Sequence, residues 1–251
     1  MQHKSINQCL RNRMALPKKI TPCPIIESVV EIRFDSAIPP DAIFGVVYHS
    51  FKEIFPNKPK NLPILQLPAQ IRNNDPNLLY KAHYRLSDNI FLFQVGPKSI
   101  SLINKGEYVG WSVFSPKIKE CFQKVKEIQI IKDTKRFGLR YINFFEELNI
   151  YDKINLKLSL NEKSLTSNKI VLRTSLPKEE FICNLRISND SKMEQVEKLG
   201  SIIDIDVYRE EDGKSIIEQF DRILEEAHNT EKEIFFSSFK EEFLQNFNPE
   251  Y

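Results

Sequence analysis

The sequence predicts an α+β protein with two halves, each a mostly antiparallel sheet packed by a long helix. Short segments alternate polar and apolar residues with a period of two, which is typical of half-buried strands. Turn residues such as Ser87-Asp88-Asn89 and Gly96-Pro97 separate neighbouring strands by few residues, which favours antiparallel hairpins. Longer segments repeat apolar residues with the helical period.

The first half is expected to cover residues 14–130. It opens on a strand in which Ser28 to Phe34 place alternate side chains on opposite faces. Pro39-Pro40-Asp41 then favours a helix start, because proline is tolerated in the first helical turn. The expected elements are a strand at Ser28–Phe34, a helix from Pro39 to about Phe55, strands at Leu79–Leu86, Ile90–Val95 and Ser99–Asn104, and a helix from Trp111 to about Ile128.

The second half is expected to cover residues 131–251 and to repeat the arrangement of strands followed by helix. Its expected strands are Lys135–Glu146, Ile154–Leu160, Lys169–Leu176, Glu180–Ile187 and Ile202–Arg209. Asp212-Gly213 is a turn before a final helix. Thr230-x-x-Glu233 matches a capping box, so a new or kinked helix is expected to begin there.

Composition narrows the class of protein. The 251 residues carry a formal net charge of +2, which gives no general electrostatic reason to bind nucleic acid. No segment approaches the roughly 18 consecutive apolar residues of a membrane helix, and the first residues do not resemble a secretory signal. Residues 1–13 are expected to be a disordered or extension arm. Four widely spaced cysteines predict free thiols in a reducing cytoplasm.

Two pairs of charged residues are candidate site residues. Asp204 and Asp206 share one face of their strand, so they could hold a cation or serve in acid–base catalysis, or they could pair with basic residues of the next strand. Arg136 and Arg140 also share a face and could grip a phosphate or carboxylate, or they could neutralise acidic residues on a neighbouring strand. Structural pairing is the simpler interpretation of both patterns.

The C-terminal segment carries a row of phenylalanines at four-residue spacing. The row consists of Phe235, Phe239, Phe243 and Phe247. Such an apolar stripe has to be buried, either against the chain's own sheet or at an interface with a partner or a second copy.

No motif for nucleophilic, nucleotide-dependent or metalloprotease chemistry occurs in the sequence. The histidines, among them His49, His83 and His228, show no spacing of metal ligands and are expected to pack or to face solvent. The sequence therefore predicts no metal site and no cofactor.

Three segments together resemble a sporadically distributed family of uncharacterised bacterial proteins of about 250 residues. They are Leu16–Asp35, Arg136–Asn143 and His228–Phe247, against the family's Pro-Pro-Ile-x-Glu-Ala-like start, Arg-Tyr-Ile-Asn strand and helical end. Pro22-Cys23-Pro24 departs from the adjacent prolines, and Ser28 replaces the family's small residue. The resemblance implies this architecture and a bacterial cytosolic setting. The family's patchy distribution looks like that of accessory genes in defence or toxin–antitoxin loci.

Together these observations favour a non-enzymatic binding or regulatory protein that acts through a protein partner or through self-association, without membrane or nucleic acid. Two alternatives stay open. One is a metal-assisted phosphate-handling enzyme that uses Asp204 and Asp206 with Arg136 and Arg140 as anion anchors. The other is a small-ligand sensor with a pocket between sheet and helix.

Overall fold

The computed structural model describes residues 16–165, 169–193 and 198–251. The strands of these segments are β1 (Ile25–Ser36), β2 (Lys60–Asn61), β3 (Tyr84–Ser87), β4 (Phe91–Val95), β5 (Ser99–Lys105), β6 (Ile131–Glu146), β7 (Ser159–Leu160), β8 (Lys163–Ser164), β9 (Val171–Lys178), β10 (Phe181–Met193) and β11 (Lys198–Gly213). The α-helices are α1 (Pro40–Phe51), α2 (Ala69–Asn74), α3 (Trp111–Glu127), α4 (Ser215–Glu218), α5 (Phe220–Ser238) and α6 (Glu241–Leu244). Short 3₁₀ turns lie at Pro63–Gln66, Ile150–Asp152 and Gln245–Phe247.

Nine of the described strands form one antiparallel sheet in the order β2-β3-β4-β5-β1-β6-β11-β10-β9. The first strands of the two expected halves, β1 and β6, pair at its centre. In each half the first strand also pairs with the last, β5 or β11, and the two preceding strands follow outward. The two halves therefore share one strand order, and the predicted α+β class with antiparallel sheet is confirmed.

One face of this sheet is apolar and carries the helices. On β1 the side chains of Val30, Ile32 and Phe34 are fully buried, while the residues between them belong to the opposite face. The helices contribute aromatic side chains to the same core: the Phe51 ring of α1 lies 4.5 Å from that of Phe93, centroid to centroid. Each such buried side chain contributes about 1.5–3 kcal/mol to stability. In the described part of the second half, the opposite face carries charged residues, among them Arg140 and Asp204.

Two predicted strands, Leu79–Leu86 and Ile154–Leu160, are wrong over much of their length, although they overlap β3 and β7. Residues 79–83 do not extend β3, because this segment turns and the Tyr80 carbonyl accepts a hydrogen bond from Ser99 Oγ at 2.7 Å. The segment 154–160 is also not a strand along its length. Ile154 makes an isolated bridge to Phe239, and Asn155 Nδ2 donates to the Phe239 carbonyl at 2.7 Å. His83 still bonds to the neighbouring strand segments, since its N–H donates to the Val95 carbonyl and its carbonyl accepts from the Leu62 N–H, each at 2.8 Å. The Asn155 N–H donates instead to the Ser238 carbonyl at 2.7 Å.

The expected helix start at Thr230 is also wrong. Helix α5 runs without a break through this position, and Thr230 Oγ1 donates to the Glu226 carbonyl one turn earlier at 2.9 Å. A threonine whose hydroxyl bonds back within the helix does not act as an N-cap. The helix ends instead at Ser238, and Phe239 is extended before α6 begins.

Several sequence features lie outside the described residues, namely the expected arm at residues 1–13, His3 and Cys9. Of the cysteines that the structure describes, Cys121 and Cys183 are buried free thiols and Cys23 is an exposed one. Within the described segments, no helix is both long and apolar enough to cross a membrane.

Candidate functional site

The charged face of the sheet brings the sequence-predicted site residues together. Strand β6 presents Arg136 and Arg140 there, and the register places Arg140 opposite Asp206 of β11. Asp204 lies two residues earlier on the same face of β11, and Glu31 of β1 lies opposite Gly138. The two pairs of candidates therefore converge, but on an open sheet face rather than in a closed chamber.

Arg136 contacts residues of its own strand and of both neighbouring strands. Its Nη2 donates to Asp206 Oδ2 at 2.7 Å and its Nη1 donates to Glu31 Oε1 at 3.3 Å. Its guanidinium lies over the ring of Tyr208, 4.6 Å from the centroid, and over the backbone of Gly138. The side chain is only 10% exposed. Arg136 thus serves as the bridge between β1 and β11 and is not free to bind an anion.

Arg140 forms the second ion pair of the charged face. Its Nε and Nη2 each donate to one oxygen of Asp204 at 2.7 Å, which is the bidentate geometry that arginine favours with carboxylates. The Asp204 side chain is 11% exposed, whereas that of Arg140 is 43% exposed. The hydrogen bond to Asp204 raises the pKa of the Arg140 guanidinium above its ordinary value. The pair is fixed, and the interpretation as structural pairing describes it well.

These contacts decide what the two aspartates can do chemically. Asp204 accepts two hydrogen bonds from Arg140 and Asp206 accepts one from Arg136, so neither offers a free pair of carboxylate oxygens to a divalent cation. Among the described residues, no group of three or more histidine, cysteine or acidic side chains could hold a metal ion. The arrangement therefore favours an electrostatic scaffold over a metal centre.

A shallow pocket of about 540 Å³ lies on the second half of the charged face. It is lined by Arg140, Arg173, Thr174, Ser175, Asn184, Leu185, Arg186, Asp204 and Asp206. Arg173 and Arg186 lie opposite each other on β9 and β10. Neither arginine forms an ion pair with a described residue, and Arg186 Nε is buried without a hydrogen-bond partner. Two arginines without an ion pair to a described residue thus lie opposite each other, beside Arg136 and Arg140, which are paired; on its other side Arg186 lies opposite Asp204.

The sequence analysis missed Arg173 and Arg186. Alternation along Glu180–Ile187 does place Arg186 and Asn184 on one face, so a weak signal existed. The information that was lacking is the pairing of β9 with β10, which brings Arg173 to Arg186. That pairing depends on sheet order and not on the pattern of either strand alone.

The C-terminal phenylalanines pack on the chain's own sheet. Phe235, Phe239 and Phe243 are buried, and Phe247 is half-buried. The rings of Phe239, Phe243 and Phe247 lie 5.7, 6.2 and 6.0 Å from that of Phe145 on β6, centroid to centroid. This is the first of the two arrangements that the spacing allowed, and it leaves three of the four rings inside the core.

A second polar cluster is buried under α5. The hydroxyl of Tyr141 lies 3.3 Å from that of Tyr108 and 3.4 Å from His228 Nδ1, and the His228 ring stacks on Trp111 at 3.7 Å. Burial lowers the pKa of His228 to about 3, so this imidazole is neutral, and it raises the pKa of Glu231 to about 8. The sequence predicted a packing role for His228 but missed Glu231, although its spacing from Ala227 and Ile234 placed it on the buried stripe.

Three further polar residues, namely Asn143, His83 and His49, lie away from this pocket. Asn143, on the apolar face of its strand, donates from Nδ2 to the Ile203 carbonyl at 3.2 Å. The Nδ1 atom of His83 lies 3.5 Å from Arg72 Nη1, and burial lowers the pKa of His83. His49 is an exposed residue in the last turn of α1. None of these side chains joins the pocket.

The fold and this face together define an α+β protein with one broad antiparallel sheet, helical on one side and charged on the other. No protein-family model matches the chain, and no curated protein sequence matches it either.

Proposed function

We propose that this chain is a cytoplasmic, non-enzymatic binding protein, and that Arg173 and Arg186 hold an oxyanion of its ligand. The chemistry that fits is a carboxylate or a phosphate group, because a guanidinium presents parallel N–H donors that match either one. The observation that carries the proposal is the buried Arg186 Nε without a hydrogen bond, next to Arg173, which is exposed and forms no ion pair with a described residue.

An unpaired buried donor is costly to a folded protein. Leaving a buried polar group without a partner costs on the order of 1–3 kcal/mol, and more for a charged group. Two like charges on facing positions of neighbouring strands add repulsion. Binding an anion between Arg173 and Arg186 would relieve both costs at once.

The neighbouring ion pairs support a binding role. Arg140 and Asp204 neutralise each other at the inner wall of the pocket, and Asp206 is neutralised by Arg136. The lining contains three arginines and two aspartates, so the pocket carries a net positive charge. A metal-assisted enzyme fits less well, since the same ion pairs occupy both carboxylates.

Titration calorimetry at low ionic strength tests the proposal with two probes, inorganic phosphate and citrate. The variants are Arg173→Gln/Arg186→Gln and, as a control, Arg222→Gln, which removes an exposed arginine of α5 that bonds Gln219 and Glu226. We expect at least one probe to bind the unaltered chain and the double variant to bind it about tenfold more weakly or worse. The control should bind as the unaltered chain does. A phosphate-only or citrate-only response identifies the oxyanion, and equal binding by the double variant, or no binding at all, contradicts the proposal.

A further inference from the structure

Strand β9 forms one edge of the nine-stranded sheet. Among the described strands it pairs with β10 alone, so its other side offers backbone groups without a described partner strand along Val171–Lys178, except at Pro177, which has no N–H to donate. Val171 is 52% exposed, and Arg173, Thr174 and Ser175 are exposed as well. An exposed edge of this length can accept a further strand.

The charge of this edge decides which strand it would accept. The segment Lys169–Lys178 contains three basic residues and no acidic one. Lys169 and Lys178 pair with Asp190 and Glu233 at 3.5 Å, and Arg173 forms no ion pair with a described residue. Pairing β9 with β9 of a second copy would place like charges against each other, which disfavours self-association through this edge. An acidic strand has the opposite charge. Arg173, on the charged face of β9, is the residue that would meet it first.

The pocket described above borders β9 and adds Arg186 of β10 to this basic surface. Arg173, Thr174 and Ser175 of β9 line it, and Arg186 lies directly behind Arg173. A strand added to β9 would lie about 4.8 Å away, with its facing Cβ atoms about 4.5–5.5 Å from those of β9. Alternate side chains of that strand would therefore point onto the charged face, within reach of both guanidiniums.

We propose that β9 binds an extended acidic segment of a partner protein as a tenth strand, whose carboxylates contact Arg173 and Arg186. This inference rests on the proposed function, because it names the source of the oxyanion. Backbone hydrogen bonds to β9 would give affinity, and the alternate acidic side chains would give specificity.

A synthetic peptide of about nine residues tests the inference, with glutamate at every second position and threonine or valine between. One control peptide has glutamine in place of each glutamate. Two further controls keep the glutamates but carry backbone N-methyl groups at alternate residues, one version for each edge of the peptide. Fluorescence anisotropy measures binding, and hydrogen exchange by mass spectrometry follows the amides of residues 171–178.

We expect the glutamate peptide to bind and to slow exchange in β9. Binding should weaken about tenfold or more with the glutamine peptide, with the N-methylated version that blocks the pairing edge, and with Arg173→Gln/Arg186→Gln. Equal binding of both N-methylated versions, or unchanged exchange in β9, overturns the added strand. If phosphate or citrate binds and the peptide does not, this inference fails and the proposed function stands. If neither binds, both fail.

Discussion

The guanidinium of Arg136 lies directly on the backbone of Gly138, two residues further along the same strand. A methyl group on Gly138 would lie 3.0 Å from Arg136 Cζ and closer still to Nη1, so no larger residue fits beneath this side chain. The missing side chain lets the guanidinium extend between Glu31 on one neighbouring strand and Asp206 on the other. Gly138 is therefore part of the ion-pair network although it carries no charge.

Gly138→Ala should lower the free energy of unfolding by about 2–4 kcal/mol, because displacing Arg136 removes the hydrogen bond to the partly buried Asp206, whereas Glu31 keeps its ion pair with Arg33 at 2.7 Å. Urea unfolding at neutral pH measures the effect. Gly45→Ala is the matched control: nothing lies within 4 Å of its added methyl group in α1, so it should stabilise the helix by about 0.5–1 kcal/mol. In an Arg136→Met background, Gly138→Ala should cost much less. A full cost in that background would contradict the assigned role.

Divalent cations should not stabilise this protein. Asp204 accepts two hydrogen bonds of 2.7 Å from Arg140, and Asp206 accepts one of 2.7 Å from Arg136. A cation bound by both oxygens of either carboxylate would have to displace a guanidinium. We expect the melting temperature to be unchanged by millimolar Mg²⁺ or Mn²⁺, measured by differential scanning calorimetry. A concentration-dependent rise that disappears in Asp204→Asn would show that a cation does bind, since ligands of the folded state raise its stability.

Strands could be predicted from the sequence because each strand alternates apolar and polar residues within its own segment. Alternation from Ser28 to Phe34 placed the buried face of β1 correctly, and helical periodicity located α3. The segment around Asn155 contains the same residue types as a strand, but its polar groups bond outside the sheet, and it was therefore predicted wrongly as a strand. The local residue pattern predicts which side chains are buried. It does not predict which groups form hydrogen bonds with the backbone of that segment.

The candidate site was predicted in part for the same reason. Asp204 and Asp206, and Arg136 with Arg140, could be assigned to faces of their strands from spacing two apart. Their mutual pairing required the order β1-β6-β11, which brings strands far apart in sequence side by side. Arg173 and Arg186 became notable only once Arg136 and Arg140 on the same face were found to be paired. No property of a single strand reveals that an arginine lacks a partner.

Phe239→Ala should lower the free energy of unfolding by about 3–5 kcal/mol, because the ring is 4% exposed and contacts Phe145, Phe235 and Phe243. Val113→Ala is the control, since Val113 is 49% exposed in α3, and it should change the free energy by less than about 0.5 kcal/mol. Guanidinium chloride unfolding compares the two. A Phe239→Ala variant with unchanged stability but altered oligomeric state would assign the ring to an interface instead.

The buried pair His228 and Glu231 should give stability a maximum in mildly acidic solution. The pKa of His228 falls from 6.5 to about 3 on folding, so its contribution is complete above pH 6.5 and is lost as the pH falls toward 3. The pKa of Glu231 rises from 4.5 to about 8, so its contribution is complete below pH 4.5 and is lost as the pH rises toward 8. Between pH 4.5 and 6.5 the two slopes oppose each other.

Glu231→Gln isolates the second of these effects. Between pH 6.5 and 8 Glu231 acts without His228, and we expect it to lower the free energy of unfolding by about 1.4 kcal/mol per pH unit. Glutamine has nearly the same shape and no charge, so the variant should lose this slope and be more stable than the unaltered chain at pH 8. Urea titrations at half-unit steps of pH measure both curves. Glu233→Gln, an exposed position two residues later on α5, is the matched control and should keep the slope. Parallel curves for Glu231→Gln and the unaltered chain would mean that Glu231 is ionised in the folded protein, with a charged or solvated partner that burial alone does not provide.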